Sequence, residues 1–249
     1  MISRVLLADA LLRAGAAAGP VLGLDTGTPI AHLGIVSEGR VLASVATPGR
    51  SHGANLPELA EATLLSAGLH FKDLAAIAIG IGPGSFTGLR VGVSYVKGLA
   101  FARKLKVAGV PSLDAIALCA ADEADRDCGV TICPVIDARK GEVYTSLYGI
   151  ANDALERRTD DRIVTLELLA TELQGRVIFA GDAKAEEASV HFSRDGGSGV
   201  AVGNARLQLV GGFIAAIGAA RVVKGEIEPI MGLEPRYVRP SDATINTPP

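Results

Sequence analysis

Tryptophan is absent from this chain, and tyrosine and phenylalanine contribute only four and six of its 249 residues. A core of this size is left to aliphatic and small side chains, which suits an α/β architecture with helices packed tightly on sheets. Cysteine is also scarce. Cys119, Cys128 and Cys133 form no C-x-x-C pair, and an odd count argues against a disulfide framework, which leaves reduced thiols in or near the core. Positive charge is not in excess: the formal charge of −3 lacks the basic footprint of a free-standing nucleic-acid binder. No apolar run reaches the roughly 20 residues of a membrane span. Residues Met1 to Pro20 resemble a secretory leader only in outline, because Asp9 and Arg13 interrupt the apolar region. A short helical extension or an upstream start codon is expected there, and a cytoplasmic location for the protein.

Glycine is what the chain has in plenty, at 30 residues. The segment Leu74 to Lys104 uses it most tellingly. Leu74 to Ile81 is an apolar run suited to a buried strand. Gly82-Pro83-Gly84 makes a turn, and Ser85 stands where a helix N-cap belongs. The helix continues to about Lys104, with Arg103 and Lys104 at its negative end. Gly88 and Gly92 lie on one face of it, with Gly84 one turn earlier. Interior glycine costs a helix roughly 1 kcal/mol relative to alanine. A second helix or backbone pressed against that face would account for both.

Around this segment the chain reads as alternating strands and helices. Val21 to Asp25, Ile30 to Ser37 and Arg40 to Thr47 form a β-meander. A Gly-, Ser- and His-containing loop leads to a helix from about Leu56 to Leu69, whose first turn accommodates Pro57; a helix beginning near Ser51 would instead place Pro57 inside. Lys106 to Val110 is a strand and Ser112 to about Asp122 a helix. Thr131 to Ile136, a turn at Asp137 to Gly141, and Glu142 to Tyr148 echo the first hairpin. A helix (Thr165 to Leu173), a strand (Val177 to Ala180), a poorly patterned stretch (Lys184 to Gly203), a helix (Ala205 to Ala220) and an irregular tail complete the chain. Two lobes of β-β-β-α-β-α character follow, the second abbreviated.

Asp25-Thr26-Gly27-Thr28 is the sharpest chemical signal. Backbone N–H groups and hydroxyls in such a turn can cradle a phosphate, and the carboxylate can hold its magnesium. An ordinary hairpin turn uses the same residue types for their conformational preferences. Asp137 and Arg139, in the second turn, could contact nucleotide or RNA phosphate, or simply form a solvated tip. Gly82 to Ser85 lacks the ending of a P-loop. No two-histidine metal pair is evident, since His52 is followed four residues on by Leu56. Ser85 and Ser112 lack the G-x-S-x-G setting of a hydrolase nucleophile. No catalytic residue and no metal site are therefore assigned.

Several motifs together resemble the bacterial TsaB family: Leu22 to Thr28, Arg50-Ser51-His52, Gly80 to Gly92, Val110 to Asp114, Asp137 to Tyr144 and Tyr237 to Pro240. The resemblance runs from about Val21 to Asp242. It implies an actin-like (ASKHA, ribonuclease H-like) two-lobed fold, with a first lobe at 21–110, a second at 111–242 including the tail, an extension at 1–20 and a disordered terminus at 243–249. It further implies a non-catalytic subunit that pairs with a TsaD-type transferase to make threonylcarbamoyladenosine in tRNA, with a TsaE-type ATPase joining them. TsaD-like proteins carry H-x-x-x-H where this chain has His52 and Leu56, so the metal pair is broken.

The partner surface implied comprises Leu56, Leu59, Thr63 and Ala67 on one helix and Gly84, Ser85, Gly88, Gly92 and Tyr95 on and before the next. The alternative is that this face packs on the chain's own sheet. The same surface would serve a homodimer when the partner is absent, and tRNA would be met only through the complex. No cofactor is expected in the isolated chain; Asp25, Thr26, Gly27, Thr28, Asp137 and Arg139 mark a vestigial nucleotide site, with ATP or ADP at a boundary shared with the partner. The competing readings are an ATP-using enzyme of the sugar-kinase type and a metallopeptidase-like protein. The chain departs from the family in its first 20 residues and in Gly27, where serine or alanine is common.

Overall fold

The computed structural model describes all residues except 1–3, 7, 49–51, 122–123, 125–128, 153, 195 and 240–249. Arg50, Ser51, Cys128, most of the acidic stretch 122–127, Pro240 and the terminus at 243–249 thus lie outside the described residues. In chain order the elements are β1 (Arg4–Leu6), α1 (Ala8–Gly15), β2 (Val21–Asp25), β3 (Ile30–Ser37), β4 (Arg40–Pro48), α2 (His52–Ser66), β5 (Ala76–Gly80), α3 (Phe86–Arg103), β6 (Lys106–Val110) and α4 (Ser112–Ala121). They continue with β7 (Thr131–Arg139), β8 (Glu142–Thr145), β9 (Tyr148–Ala151), β10 (Ala154–Arg157), β11 (Arg162–Thr165), α5 (Leu166–Glu172), β12 (Arg176–Gly181), α6 (Lys184–Arg194), β13 (Ser198–Ala201), α7 (Asn204–Leu207) and α8 (Val210–Lys224). No helix among the described residues is long and apolar enough to cross a membrane.

The first sheet has the order β4-β3-β2-β5-β6. Its meander is antiparallel, because short turns join neighbours, while β5 and β6 run parallel to β2 after helical crossovers. The second sheet repeats the plan. β7 is central, with β8 and β9 on one side and the parallel strands β12 and β13 on the other. β11 extends it beyond β8 and β10 beyond β9. This repeated meander with two parallel strands is the actin-like arrangement. The second lobe is abbreviated in element length: β8 to β11 have four residues each and α5 only seven.

The single returning strand expected over Glu142 to Tyr148 is two. Ser146 Oγ donates to Thr159 O at 2.5 Å and Thr159 Oγ1 accepts from Leu147 N at 2.8 Å, so a loop from beyond β10 breaks the ladder between them. The stretch Lys184 to Gly203, which lacked a pattern, folds as α6 and β13. The buried face of α6 consists of Ala185, Ala188, Ser189 and Phe192, and three small residues of four give little apolar periodicity to read. The helix α2 starts at His52, which places Pro57 in its interior.

Alternation along the strands separates two cores. Leu22, Leu24, Leu33, Ile35, Ile77 and Ile79 point to α2 and α3, while Val21, Val36, Ala76 and Ala78 point to α8. On the second sheet, Ile132, Ile136 and Ile178 face α4, and Cys133, Val135 and Phe179 face α5 and α6. The layers are therefore α2/α3, first sheet, α8 and α4, second sheet, α5/α6.

Consequently the lobes do not follow the sequence boundary drawn at 110/111. Helix α8, from the second half of the chain, lies on the first sheet, where a Cβ at Gly23 would stand 2.3 Å from Ala215 N and one at Gly34 2.3 Å from Gly212 N. Backbone meets backbone there, and no other residue fits. Nor is the extension at 1–20 a separate piece. β1 pairs with β10 in the second sheet and α1 packs on α8, with Leu11 buried in the shared core.

Candidate functional site

The first turn begins where β2 ends. Asp25 Oδ1 accepts from Gly27 N at 2.6 Å, Thr26 Oγ1 donates to Gly88 O at 2.7 Å, and Thr28 Oγ1 donates to Ile30 O at 2.7 Å. Ser85 N donates to Gly27 O at 2.6 Å. Asp25, Thr26 and Thr28 are buried. Helix α3 lies directly on this turn: a Cβ at Gly84 would stand 2.3 Å from Gly27 O, at Gly88 2.0 Å from Thr26 O, and at Gly92 2.3 Å from Thr26 Oγ1.

This corrects the expected partner surface. Gly84, Gly88 and Gly92 are closed off by the chain's own first turn, for the physical reason anticipated, close backbone approach, but with an internal neighbour. It also corrects the expected phosphate cradle, because both threonine hydroxyls and the Gly27 N–H are spent within the fold. Ser85 caps α3 as anticipated, accepting from Gly88 N at 3.3 Å, and is itself exposed.

The second turn is open. Asp137 Oδ1 accepts from Arg139 N at 2.8 Å, and Asp137 N donates to Asp182 Oδ2 at 2.8 Å. Arg139, Lys140 and Gly141 all have left-handed backbone, at φ of 64°, 56° and 78°. That makes the tip a tight hairpin with a bulge at Arg139. Asp137 and Arg139 are exposed. Burial pushes the Asp182 carboxyl above its usual range, against the pull of the two backbone N–H groups it accepts from. Asp25 to Thr28 and Asp137 with Arg139 therefore sit in different lobes and in opposite environments.

On α2, Leu56 and Thr63 are buried, and Thr63 Oγ1 donates to Leu59 O at 2.7 Å. Both serve the core under α2 and leave the partner surface proposed for them. Leu59, Ala67 and Tyr95 are half-buried. Tyr95 has its phenol pushed up to about 12 by burial and by the carboxylates of Glu58 and Glu61. Thr87, Val91, Ser94, Gly98 and Phe101 fall at steps of four, three, four and three along α3 and form one outward stripe. Phe101 is 78 % exposed. Beyond the adjoining turns of α3 itself, no described atom lies within 4 Å of the place a Cβ on Gly98 would take. Sequence reasoning missed this stripe, although its 4-3 spacing was there to be counted. At its C-terminal end a depression of about 320 Å³ is floored by Leu64, Leu69 and Phe71 and edged by Lys72 and Arg103.

The motif Val110 to Asp114 joins the lobes. Ser112 Oγ accepts from Gly82 N at 3.1 Å and Ser112 N donates to Gly82 O at 2.9 Å. Asp114 Oδ1 accepts from Arg157 Nη2 at 2.5 Å and from the Tyr148 hydroxyl at 2.7 Å, and Arg157 pairs also with Asp161. Burial works against the Arg157 charge, but its anionic neighbours outweigh it and raise its pKa; burial also raises that of Tyr148. A buried cluster joined by charge-assisted hydrogen bonds of this kind fixes geometry, although Asp161 Oδ2 within it accepts no hydrogen bond among the described residues.

A metal pair of the H-x-x-x-H type does not fit. The position four beyond His52 is Leu56, held in the apolar core with Leu22, Leu33 and Ala60. The side chain of His52 itself lies outside the described residues. Among the described residues no three His, Cys, Asp or Glu side chains gather as ligands.

Comparison with known proteins places these features in context. A family model described as TsaD, tRNA N6-adenosine threonylcarbamoyltransferase, matches residues 41–219. The chain is 31 % identical over 147 residues to the tRNA threonylcarbamoyladenosine biosynthesis protein TsaB of Bacillus subtilis, covering 59 % of this chain and 62 % of that protein. It is 35 % identical over 129 residues to the protein of the same name from Escherichia coli, covering 51 % and 54 %. The matched stretch thus spans between half and two thirds of these curated relatives. The crystal structure of YeaZ from Pseudomonas aeruginosa superposes with a TM-score of 0.68 at 25 % identity, over 88 % of this chain and 99 % of that one.

Proposed function

Because the chain belongs to the TsaD family, and within it to the TsaB (YeaZ) group, we propose that it is a non-catalytic subunit serving threonylcarbamoyladenosine formation in tRNA. Its partner in this reading is a TsaD-type transferase, docked on the outward stripe of α3. Three features support the absence of chemistry of its own. The first turn is spent internally, the metal-pair position holds Leu56, and the two serines of interest serve as a cap and an inter-lobe tie.

The observation that carries the docking reading is Gly98. An interior glycine costs a helix about 1 kcal/mol relative to alanine, and nothing in the described chain accounts for it. A neighbouring helix pressed on Ser94 and Gly98, with Phe101 as its apolar anchor, would. Leu59, Ala67 and Tyr95 flank this stripe and stay in the proposed surface. A TsaE-type ATPase joins the pair, tRNA is met through the complex, and any ATP or ADP sits at a shared boundary. Without the partner, two copies close on the same face.

Gly98→Leu tests the assignment. At a dilution where the isolated chain is monomeric it should raise the melting temperature, since the helix gains a better former, and it should abolish capture of the cognate TsaD-type protein. Phe101→Glu should abolish capture without changing that monomer melt. Retention of the partner by both variants would remove this face from the interface, and failure of the unmodified chain to bind the transferase would end the reading. Calorimetry of the isolated chain with Mg·ATP should show no heat; heat at millimolar nucleotide would favour the sugar-kinase reading instead.

A further inference from the structure

The stretch from Ile227 to Arg239 contains no more than a three-residue helical turn, yet it is held along its whole length. On the first lobe, Glu228 N donates to Val107 O at 2.8 Å, Lys97 Nζ donates to Met231 O at 3.3 Å, and Leu233 is buried with the α3 core. Arg236 N then donates to Ile81 O at 2.6 Å. The Tyr237 ring lies 5.0 Å from that of Phe86, and its hydroxyl accepts from Arg90 Nε at 3.1 Å.

From that point the side chains reach the other lobe. Arg236 Nη1 is 3.6 Å from Asp161 Oδ2, Arg239 Nη1 donates to Ala138 O at 3.0 Å, and Arg239 pairs with Glu142. The tail therefore runs from the loop beside the first turn to the hairpin of the second. Covalently, the described lobes are otherwise joined through the segments leading into α4, α7/α8 and α1, the usual places for a hinge.

We infer that this tail is a strap which holds the two lobes, joined by one core through α4 and α8, at one angle about that core, and that releasing either end lets them turn about it. Its two anchorages differ in kind. The first-lobe end is packed, with Leu233 in the core and Tyr237 on an aromatic ring. The second-lobe end is polar and partly exposed, Arg236 at 53 % and Arg239 at 24 %. Exposed ion pairs are individually weak and are screened by salt, so the strap releases from the second lobe first.

The test measures the distance between spin labels at Lys72 on the first lobe and Leu168 on the second, both exposed. Labelled protein is diluted in unlabelled protein, in a Cys128→Ser background, with Cys119 and Cys133 buried. The full chain should give one narrow distribution. Arg236→Ala with Arg239→Ala should shift it to a longer, broader one, and high salt should do the same to the unmodified chain. Tyr237→Ala, which loosens the opposite end, should reproduce the shift. Exchanging the charges of one pair, Arg239→Glu with Glu142→Arg, should restore the narrow distribution, which a general loss of structure could not do. An unchanged distribution in the double arginine variant would overturn the strap and, if Tyr237→Ala still shifted the distribution, would make the tail packing of the first lobe only.

Discussion

Two turns occupy equivalent places in the two lobes, after β2 and after β7, and each opens with an aspartate whose Oδ1 accepts the N–H two residues on. Locally they are built alike. Their surroundings are opposite. The first is roofed by α3, whose glycines let the helix backbone touch the turn. Over the second, the corresponding crossover from β12 to α6 begins with Asp182, whose carboxylate spans the gap to Asp137 N and to Lys184 N. One junction is closed by the absence of side chains and the other is bridged by a side chain. The same hairpin becomes a buried anchor in one lobe and an exposed, basic tip in the other.

The most severe way to break this contrast is to give the first turn a side chain to contend with. Gly88→Leu should destabilise the fold by more than about 3 kcal/mol, because overpacking against backbone has no flexible neighbour to absorb it; a urea melt would read it. A near-native midpoint would mean that α3 can lift off the turn. Thr26→Val keeps the shape and removes the hydroxyl donated to Gly88 O, which should cost about 1–2 kcal/mol.

At the second turn the effects should be smaller and dependent on pH. The Asp182 pKa is raised above 3.8 on folding, so the stability linked to its proton is fully present below that value and is lost as pH rises through the raised pKa. Melts of Asp182→Asn and the unmodified chain between pH 3.5 and 7 (approximate working limits set by the carboxylate range) should show the Asn variant at its greatest disadvantage in acid. A gap that widens toward neutrality would reverse the assigned sign. Least of all should Lys140→Asn matter. Asn-Gly is the preferred pair for the left-handed positions that Lys140 and Gly141 occupy, so a gain of about 0.5 kcal/mol or less is expected in the same melts.

Much of the fold was legible because its signals are local. The strands β2, β3 and β6 fall where apolar runs and turn residues put them, and Ser85 caps α3 because its hydroxyl reaches a neighbouring N–H. Helix α6 was hidden by its small buried residues. The glycine face was read correctly as a place of close approach and assigned to the wrong neighbour. Nothing within residues 84–92 says that Thr26, some 60 positions earlier, is what presses on them. Arg157 and Tyr148 gave no signal at all, since their meaning depends on Asp114, which meets them only across the second sheet.

What the sequence determined by itself was most of the first lobe's strands and helices, the Ser85 cap and the turns, and the family to which they belong, because each rests on hydrogen bonds and periodicities spanning a few residues. What only the tertiary structure decided was which faces are spent. Gly88 and Gly92 are enclosed and Gly98 is open, although all three are glycines of one helix. Packing is set by residues distant in the chain, and a one-dimensional pattern cannot say which of several suitable surfaces they will cover.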